Sequence, residues 1–377
     1  MAKHNNNFRQ LLKYVGINRF RKLIRLAGAD RYVKRFNTVD LLKTLFFAVI
    51  AGKDSLRQIE NSMNSHNAFL NSIGMPNVHR NTISQAMANR PSELFYEHLC
   101  SLFDDLNNRC FLRQKAGAKL TALDATHISL PPNLFDWADY RKENRGIKLH
   151  IIFNADLEIP EYCSFSLGGE QELSIAREFY HRIPKDRIVV CDKAYFSFEF
   201  LQRLNRDNVK VIIPAKRNLA FRVESEVPQK NLPPGAIADQ IVVFTSQIAA
   251  KYKPVVFRRI AIWNSEKKKK AVYITNLWDE DVDFIVEQYR RRWRIEFFFR
   301  WLKKNLKTTT FYGTTRNAVE IQIWVILMLT LILKFLSFLA KSGSSSSSIY
   351  YLRHMIADML FERSDLSEVL GICSSDT

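Results

Sequence analysis

The spacing of apolar residues changes near residue 114, and this change limits the folds that are open to the chain. Before it, apolar residues recur at helical spacing, as Leu11, Leu12 and Val15 do, which predicts a helical region through residue 113. After it, short β-rich runs are separated by turn residues such as Pro131-Pro132. The predicted strands cover residues 118–130, 147–155, 161–167, 187–192, 209–214 and 271–276. With helices between them, they predict an α/β fold in which helices flank a mixed sheet.

Later breaks in the pattern divide the chain further. One long helix is predicted at 281–306, and shorter ones at 173–183, 197–205 and 318–339. The run Ser344 to Ser348 has the composition of a flexible linker. The predicted segments are an N-terminal all-helical domain (1–113), the first part of the sheet core (114–215), a β-rich insertion subdomain (216–270), the second part of the core (271–340), and a Ser-rich linker with a helical tail (341–377).

The chain is strongly basic, and the excess charge is concentrated in two segments. Lys and Arg number 56 against 38 Asp and Glu, a formal net charge of +18. Residues 1–37 carry ten basic residues and one acid, and residues 285–307 carry eight basic residues and two acids. A solvated helix face would explain one such segment. Two of them favour a surface that binds a polyanion, either nucleic acid or an anionic membrane.

Composition excludes several classes of protein. The 377 residues are 47% hydrophobic, which is typical of a folded chain and not of a disordered or collagen-like one. Five scattered cysteines without a C-x-x-C pair predict buried thiols in a reducing compartment and no zinc site. The amino terminus lacks the apolar core of a signal peptide. The apolar stretch 321–333 is shorter than a bilayer requires, so we expect a buried core helix there.

Two short helices in the N-terminal region suggest a reader of DNA. Ser55 is a potential N-cap for the first helix, and residues 79–90 form the second, which is rich in polar side chains and ends in a basic residue. This arrangement is typical of helix-turn-helix proteins, with Arg80 and Arg90 as candidate DNA contacts. A purely structural helical bundle explains the same pattern equally well.

The predicted helix 281–306 carries a polar stripe. At 100° per residue, Tyr289, Arg292, Glu296 and Lys303 project within an arc of about 60°. An ordinary solvated face with i,i+4 ion pairs is the alternative. Four aromatic residues on the same helix count against it, because they leave little ordinary surface.

Two further acids fall in or beside predicted strands. Asp124 lies inside an apolar strand, where a carboxylate needs a partner. Asp192 ends a short apolar strand, and sites form at the carboxyl ends of strands in open α/β sheets. Each acid alone could be a strand-end or turn residue. Together with Glu296, however, they predict a set of oxygen ligands for Mg²⁺, which can catalyse phosphodiester displacement.

The motif Tyr289-x2-Arg292-x3-Glu296-x6-Lys303 resembles the Y-(2)-R-(3)-E-(6)-K signature of the IS-four family of bacterial insertion-sequence transposases. The segments 121–126 (TALDAT) and 190–196 (VCDKAYF) are similar to the first and second acid motifs of that family. The resemblance covers about residues 5 to 340.

This resemblance implies an RNase H-like catalytic core, with Asp124, Asp192 and Glu296 as a DDE triad that binds Mg²⁺, for which Mn²⁺ substitutes. It also implies phosphate contacts by Tyr289, Arg292 and Lys303, which we extend to Arg300 on the same helix. Lys148 and His150 are similar to the second-strand pattern of the family, but a structural role is equally compatible with them. Trp263 and Trp278 are candidates for stacking on a flipped base, although neither matches a family position.

The function implied is that of a cut-and-paste DNA transposase in the bacterial cytoplasm, associated with the nucleoid and not with a membrane. It would bind terminal inverted repeats as a homodimer in a synaptic complex, hydrolyse phosphodiesters at the element ends and join the freed ends to target DNA. Three alternatives remain open: an RNase H-like nuclease without strand transfer, a non-enzymatic DNA-binding regulator derived from a transposase, and a membrane-surface protein.

Overall fold

A computed structural model describes residues 6–113, 119–131, 133–138, 146–167, 177, 180–228, 235–252, 256–264, 268–306, 310–340 and 349–370. Most of the helix expected at 173–183 and the Ser-rich run lie outside these residues. The chain forms two compact units. The first contains residues 1–115, 128–146 and 300–377, and the second contains residues 116–127 and 147–299.

The first unit is helical. Its helices are α1 (Asn7–Lys13), α2 (Ile17–Ala27), α3 (Thr38–Ile50), α4 (Leu56–Asn64), α5 (Asn67–Ser72), α6 (Arg80–Asn89) and α7 (Ser92–Arg113). Local sequence determines where several of them begin. In α3, for example, Asn37 and Asp40 form a reciprocal capping box. Every residue of α3 is buried, so this helix is a core element of the unit. The predicted all-helical N-terminal region is therefore present.

The carboxyl-terminal helices complete the same unit. The second unit contains α8 (Phe198–Arg206), α9 (Gln247–Ala250) and α10 (Val282–Arg290), and α11 (Trp293–Leu306) follows them along the chain. The helices that belong to the first unit are α12 (Arg316–Ala340), α13 (Ile349–Asp358) and α14 (Leu366–Val369). Helix α12 packs against α3, α6, α7 and α13. Its sequence pattern predicts a place in the second part of the sheet core, whereas its contacts are with the N-terminal helices. An apolar pattern predicts burial but does not identify the partner.

Helix α12 is also the longest apolar helix among the residues that the structure describes. By length and composition alone it could cross a membrane, but 83% of its most apolar window is buried inside the protein. This agrees with the expectation of a buried core helix.

The second unit is built on a nine-stranded mixed sheet. Its strands are β1 (Leu120–Ser129), β2 (Gly146–Asn154), β3 (Ile159–Leu167), β4 (Ile188–Cys191), β5 (Lys210–Pro214), β6 (Phe221–Glu226), β7 (Ala236–Phe244), β8 (Val256–Asn264) and β9 (Lys269–Thr275). Their order across the sheet is β3-β2-β1-β4-β5-β9-β8-β7-β6. The strands β1, β4 and β5 run parallel, and β2 pairs with β3 in antiparallel orientation.

The β-rich segment after β5 continues the sheet. Strands β6 to β9 are antiparallel neighbours, and β9 pairs on its other side with β5. The segment is therefore joined to the core by backbone hydrogen bonds.

The single long helix predicted at 281–306 is wrong. The structure has α10 and α11, separated by a turn at Arg291 and Arg292. Here the backbone hydrogen bonds tighten to i→i−3, from Arg292 N to Tyr289 O and from Ile295 N to Arg292 O. Both arginines bind carboxylates on other elements. The angular stripe calculated for a continuous helix therefore does not extend across this turn.

The described cysteines are free thiols. Cys163 and Cys191 are buried and Cys100 is half-buried, in keeping with the predicted thiols for the first two. The burial of Cys110 and Cys373 lies outside the description.

Candidate active site

Two parallel strands bring the predicted aspartates to the same edge of the sheet. The register of β1 and β4 pairs Leu123 with Cys191, so the residues that follow, Asp124 and Asp192, are neighbours. Asp124 is still part of its strand and is only 9% exposed. Asp192 follows its strand directly and caps a short 3-10 turn, where its side chain accepts a hydrogen bond from the Lys193 backbone N–H.

Arg292 links two of the three predicted acids. Its Nη1 atom donates to Oδ2 of Asp124 and lies 3.3 Å from Oε1 of Glu296. Arg292 is 7% exposed, so this charge has little access to water. Because the turn before α11 directs Arg292 towards β1, Glu296 in the first turn of that helix comes to the same place. The structure thus brings Asp124, Arg292 and Glu296 together.

Both of the other predicted acids act electrostatically on Asp124. Burial raises the pKa of Asp124 to about 6, Arg292 and the Ala125 backbone N–H oppose this rise, and the negative charges of Glu296 and Asp192 add to it. Burial by itself would lower the pKa of Arg292, but Asp124, Tyr289, Glu296 and Asp192 together raise it. The site therefore holds more negative charge than one guanidinium offsets.

Tyr289 lies at the last turn of α10 and forms one wall of the site. Its ring is 5.8 Å from the Arg292 guanidinium carbon and 4.8 Å from the ring of Tyr273. Burial raises the pKa of its hydroxyl, which is therefore neutral at physiological pH. The Nε atom of Arg292 is buried without a hydrogen-bond partner in the described structure. One N–H donor thus remains available at this site.

The other predicted DNA contacts are distributed more widely. Arg300 and Lys303 lie exposed further along α11, while Arg80 is exposed at the start of α6. Arg90 is partly buried, and its guanidinium donates to backbone carbonyls at Ala29 and Phe36. These contacts give Arg90 a structural role in the free protein.

The remaining candidates have mixed surroundings. His150 is buried, with Nε2 2.9 Å from the Ser166 hydroxyl, which favours the structural alternative for this residue. Lys148 is half-buried on β2. Trp263 and Trp278 are 51% and 37% exposed.

The sequence analysis missed Asp156 and its partner Arg291. Asp156 accepts hydrogen bonds from the backbone N–H groups of Lys119 (2.7 Å) and Leu120 (2.9 Å) and binds the guanidinium of Arg291. Burial would raise its pKa, but these hydrogen bonds together lower it. Asp156 therefore fixes the start of β1, four residues before Asp124, against the turn that carries Arg292. The turn sequence Asn154-Ala155-Asp156 was the only signal.

No group of three or more His, Cys, Asp or Glu side chains within the described ranges is close enough together to hold a metal ion as it stands. Arg292 nevertheless pairs directly with Asp124 and Glu296, and the charge of Asp192 also acts on its guanidinium.

The match to a family model defines the class of protein, a nucleic-acid-processing enzyme of the DDE type. Residues 115–332, more than half of the chain, match the family described as "Transposase DDE domain", and the chain belongs to that family. Residues 3–76 match a second family, a domain of unknown function (DUF4372). The chain is accordingly a DDE-type DNA transposase, and enzymes of this type use divalent metal ions.

Named relatives agree with this assignment. A probable transposase for insertion sequence element IS5377 from Geobacillus stearothermophilus is 24% identical over 290 residues, which cover 76% of this chain and 75% of the relative. Two other bacterial relatives, 23% and 25% identical, also carry transposase names. A cryo-EM synaptic complex of piggyBac transposase with hairpin DNA aligns with a TM-score of 0.47 at 12% identity, covering 97% of this chain and 81% of that one.

Proposed function

We propose that this transposase performs cut-and-paste transposition of an insertion sequence, with Asp124, Asp192 and Glu296 as its catalytic triad. The observation that carries the proposal is the direct contact of Arg292 with both Asp124 and Glu296, beside the strand end that bears Asp192. These side chains come from three separate parts of the sequence. Their convergence supports a site that was selected for chemistry.

The donor set fits a hard divalent cation. Carboxylate oxygens are the ligands that Mg²⁺ prefers, and Mn²⁺ accepts the same ligands. Burial raises the pKa of Asp124, and the charges of Glu296 and Asp192 add to the rise, so a bound cation would stabilise the ionised carboxyl. Asp124, Asp192 and Glu296 would hold the metal. When bound, the metal would activate a water or a 3′-hydroxyl and stabilise the leaving oxygen of the phosphodiester.

The basic and aromatic side chains around the acids would position the DNA strand. The guanidinium of Arg292 would donate to a phosphate oxygen of the bound strand, and the neutral hydroxyl of Tyr289 can donate to another. Arg300 and Lys303 extend the basic side of α11 beyond Glu296 and would contact phosphates further along the backbone. Arg80 would contact the phosphates of DNA bound to the helical domain. Trp263 and Trp278 remain candidates for stacking on a flipped base.

The strand order β3-β2-β1-β4-β5 supports an RNase H-like core interrupted by the β-rich segment 216–270. Within this proposal, residues 1–113 form the DNA-binding domain and residues 271–299 carry the second part of the core. The partners would be element ends and target DNA, bound by a homodimer in a synaptic complex in the bacterial cytoplasm, without a membrane.

Substitution of each acid tests the triad. Asp124→Asn, Asp192→Asn and Glu296→Gln should each abolish Mg²⁺-dependent cleavage of a duplex that carries the element end, because each removes a negatively charged metal ligand. Binding of the same duplex, measured by fluorescence anisotropy, should stay near the wild-type value. Asp283→Asn is the matched control, since Asp283 is an exposed acid on α10.

Undiminished cleavage by any one of the three variants would contradict the triad. A second readout separates the alternative functions, namely covalent joining of a labelled element end to a second DNA. Cleavage without joining would favour an RNase H-like nuclease, and binding without either reaction would favour a regulator derived from a transposase.

A further inference from the structure

A groove in the first unit lies between α6 and the segment 28–36 that follows α2. Both segments line a cavity of about 850 Å³. Residues from the two sides differ in character, because the segment contributes cations and the helix contributes uncharged polar side chains. Residues 28–36 lie within the match to the domain of unknown function, which covers residues 3–76, and α6 begins just beyond that match.

The segment side of the groove carries three exposed cations, Arg31, Lys34 and Arg35. In the part of the chain that the structure describes, none of them forms an ion pair. The ring of Tyr32, which is 87% exposed, lies beside them, 5.5 Å from the Arg31 guanidinium. Unpaired cations on a surface attract a polyanion.

The helix side presents Thr82, Gln85 and Asn89 to the groove. Their spacing of i, i+3 and i+7 places them on one face of α6, and each is exposed. The opposite face is apolar, with Ile83 and Met87 buried. The three polar side chains make no hydrogen bond to another described residue. Amide and hydroxyl groups are the donors and acceptors that read base edges in the major groove of DNA.

Arg90 holds the two sides of the groove in a fixed relation. Its guanidinium donates to the backbone carbonyls of Ala29 (3.3 Å) and Phe36 (3.2 Å), one at each end of the basic segment. Asp30 lies 3.8 Å from the same guanidinium and accepts hydrogen bonds from the N–H and hydroxyl of Thr38. The conformation of the segment is thus determined before any ligand binds.

We propose that this groove is the sequence-reading site for duplex DNA. Helix α6 lies in the major groove, where Thr82, Gln85 and Asn89 contact base edges, while Arg31, Lys34 and Arg35 bind the flanking phosphates. Arg90, a candidate DNA contact by sequence, is a positioning residue that keeps the cations in place. The proposal rests on the proposed function, since it names the part of the chain that recognises the element.

The test separates base reading from phosphate binding. Full-length wild-type protein selects a motif from duplexes with a randomised centre, and affinities for the selected duplex and a scrambled duplex are then measured over a range of KCl concentrations. Thr82→Ala, Gln85→Ala and Asn89→Ala should each lower the discrimination between the two duplexes by about tenfold and leave the salt dependence unchanged. Asn71→Ala, on α5 and outside the groove, is the matched control.

The cation variants should behave in the opposite way. Arg31→Ala, Lys34→Ala and Arg35→Ala should weaken binding to both duplexes equally and lower the slope of log affinity against log salt by about one each. Lys185→Ala, an exposed lysine outside both basic segments, should leave the slope unchanged. Arg90→Ala should lower the slope by about two to three, because it releases the whole segment. Combined with the triple variant Arg31→Ala, Lys34→Ala and Arg35→Ala, it should not lower the slope any further.

A slope change of about one for Arg90→Ala, retained in the triple variant, would identify Arg90 as an ordinary phosphate contact and overturn its positioning role. Wild-type discrimination in all three α6 variants, with unchanged thermal stability, would overturn the reading role of the helix. A wild-type protein that selects no motif but still cleaves DNA in the triad-dependent assay would overturn the groove proposal and leave the proposed function intact.

Discussion

The candidate active site around Asp124 and Glu296, called the acid site below, and the groove between α6 and residues 28–36 both contain arginines, but in opposite surroundings. At the acid site Arg292 is buried and contacts two carboxylates, whereas in the groove Arg31 and Arg35 are exposed and have no acidic partner among the described residues. A buried arginine must be paired, because an isolated charge inside a protein is costly. Exposed arginines are solvated by water, so they need no protein partner and are available to bind a phosphate. Burial and pairing therefore separate the charges that build a site from the charges that attract a substrate.

The largest effect is expected at a buried ion pair that lies away from the acid site. Arg258 on β8 is 1% exposed, binds Asp239 on β7 through two hydrogen bonds, and donates to the carbonyls of Leu277, Trp278 and Glu280. Asp239→Ala should lower the free energy of unfolding by about 3–5 kcal/mol, because it leaves a buried guanidinium without its counter-charge. Urea denaturation measures the loss.

Glu224→Ala supplies the matched control, since Glu224 forms an exposed pair with Arg222 within β6. Its cost should stay within about 1 kcal/mol. Equal losses of unfolding free energy in the two variants would mean that burial does not determine how much these ion pairs stabilise the fold.

The next test concerns the pH dependence of the acid site. The pKa of Asp124 is raised from 3.8 to about 6, chiefly by burial, so the folded protein binds a proton at this carboxyl that the unfolded chain has already lost. The stabilisation linked to that proton is full below about pH 4 and is lost as the pH rises through about 6. Relative to Asp124→Asn, wild-type protein should lose about 2 kcal/mol of unfolding free energy between pH 4 and pH 7.

This difference should be measured in the presence of a chelator, by urea denaturation at a series of pH values. Asp283→Asn should follow the wild-type curve, because Asp283 is exposed. Parallel curves for wild type and Asp124→Asn would contradict the raised pKa.

The smallest effect on stability is expected in the groove. The triple variant Arg31→Ala, Lys34→Ala and Arg35→Ala removes exposed charges that make no ion pair in the described structure, so each substitution should change the unfolding free energy by no more than about 0.5 kcal/mol. Thermal denaturation of the free protein checks this. A large loss would show that the cations stabilise the fold, which would weaken the contrast with Arg292.

Local sequence patterns predicted much of the fold and the residues of the candidate site. The strands that carry Asp124 and Asp192 were predicted because apolar runs bounded by turn residues have few other solutions. The break at Arg291 and Arg292 could not be predicted, since helix propensity there is high and the cause is a pair of carboxylates distant in sequence. Arg258 was missed for a similar reason, as a charged residue in a strand normally indicates an exposed face.

The position of strand β9 in the sheet has a consequence for shortened forms of the protein. The strand pairs with β5 on one side and with β8 on the other, so the β-rich segment that contains β6 to β8 covers an edge of β9 that would otherwise be exposed. A shortened chain lacking that segment would present a row of unsatisfied backbone groups to solvent, which is a template for aggregation.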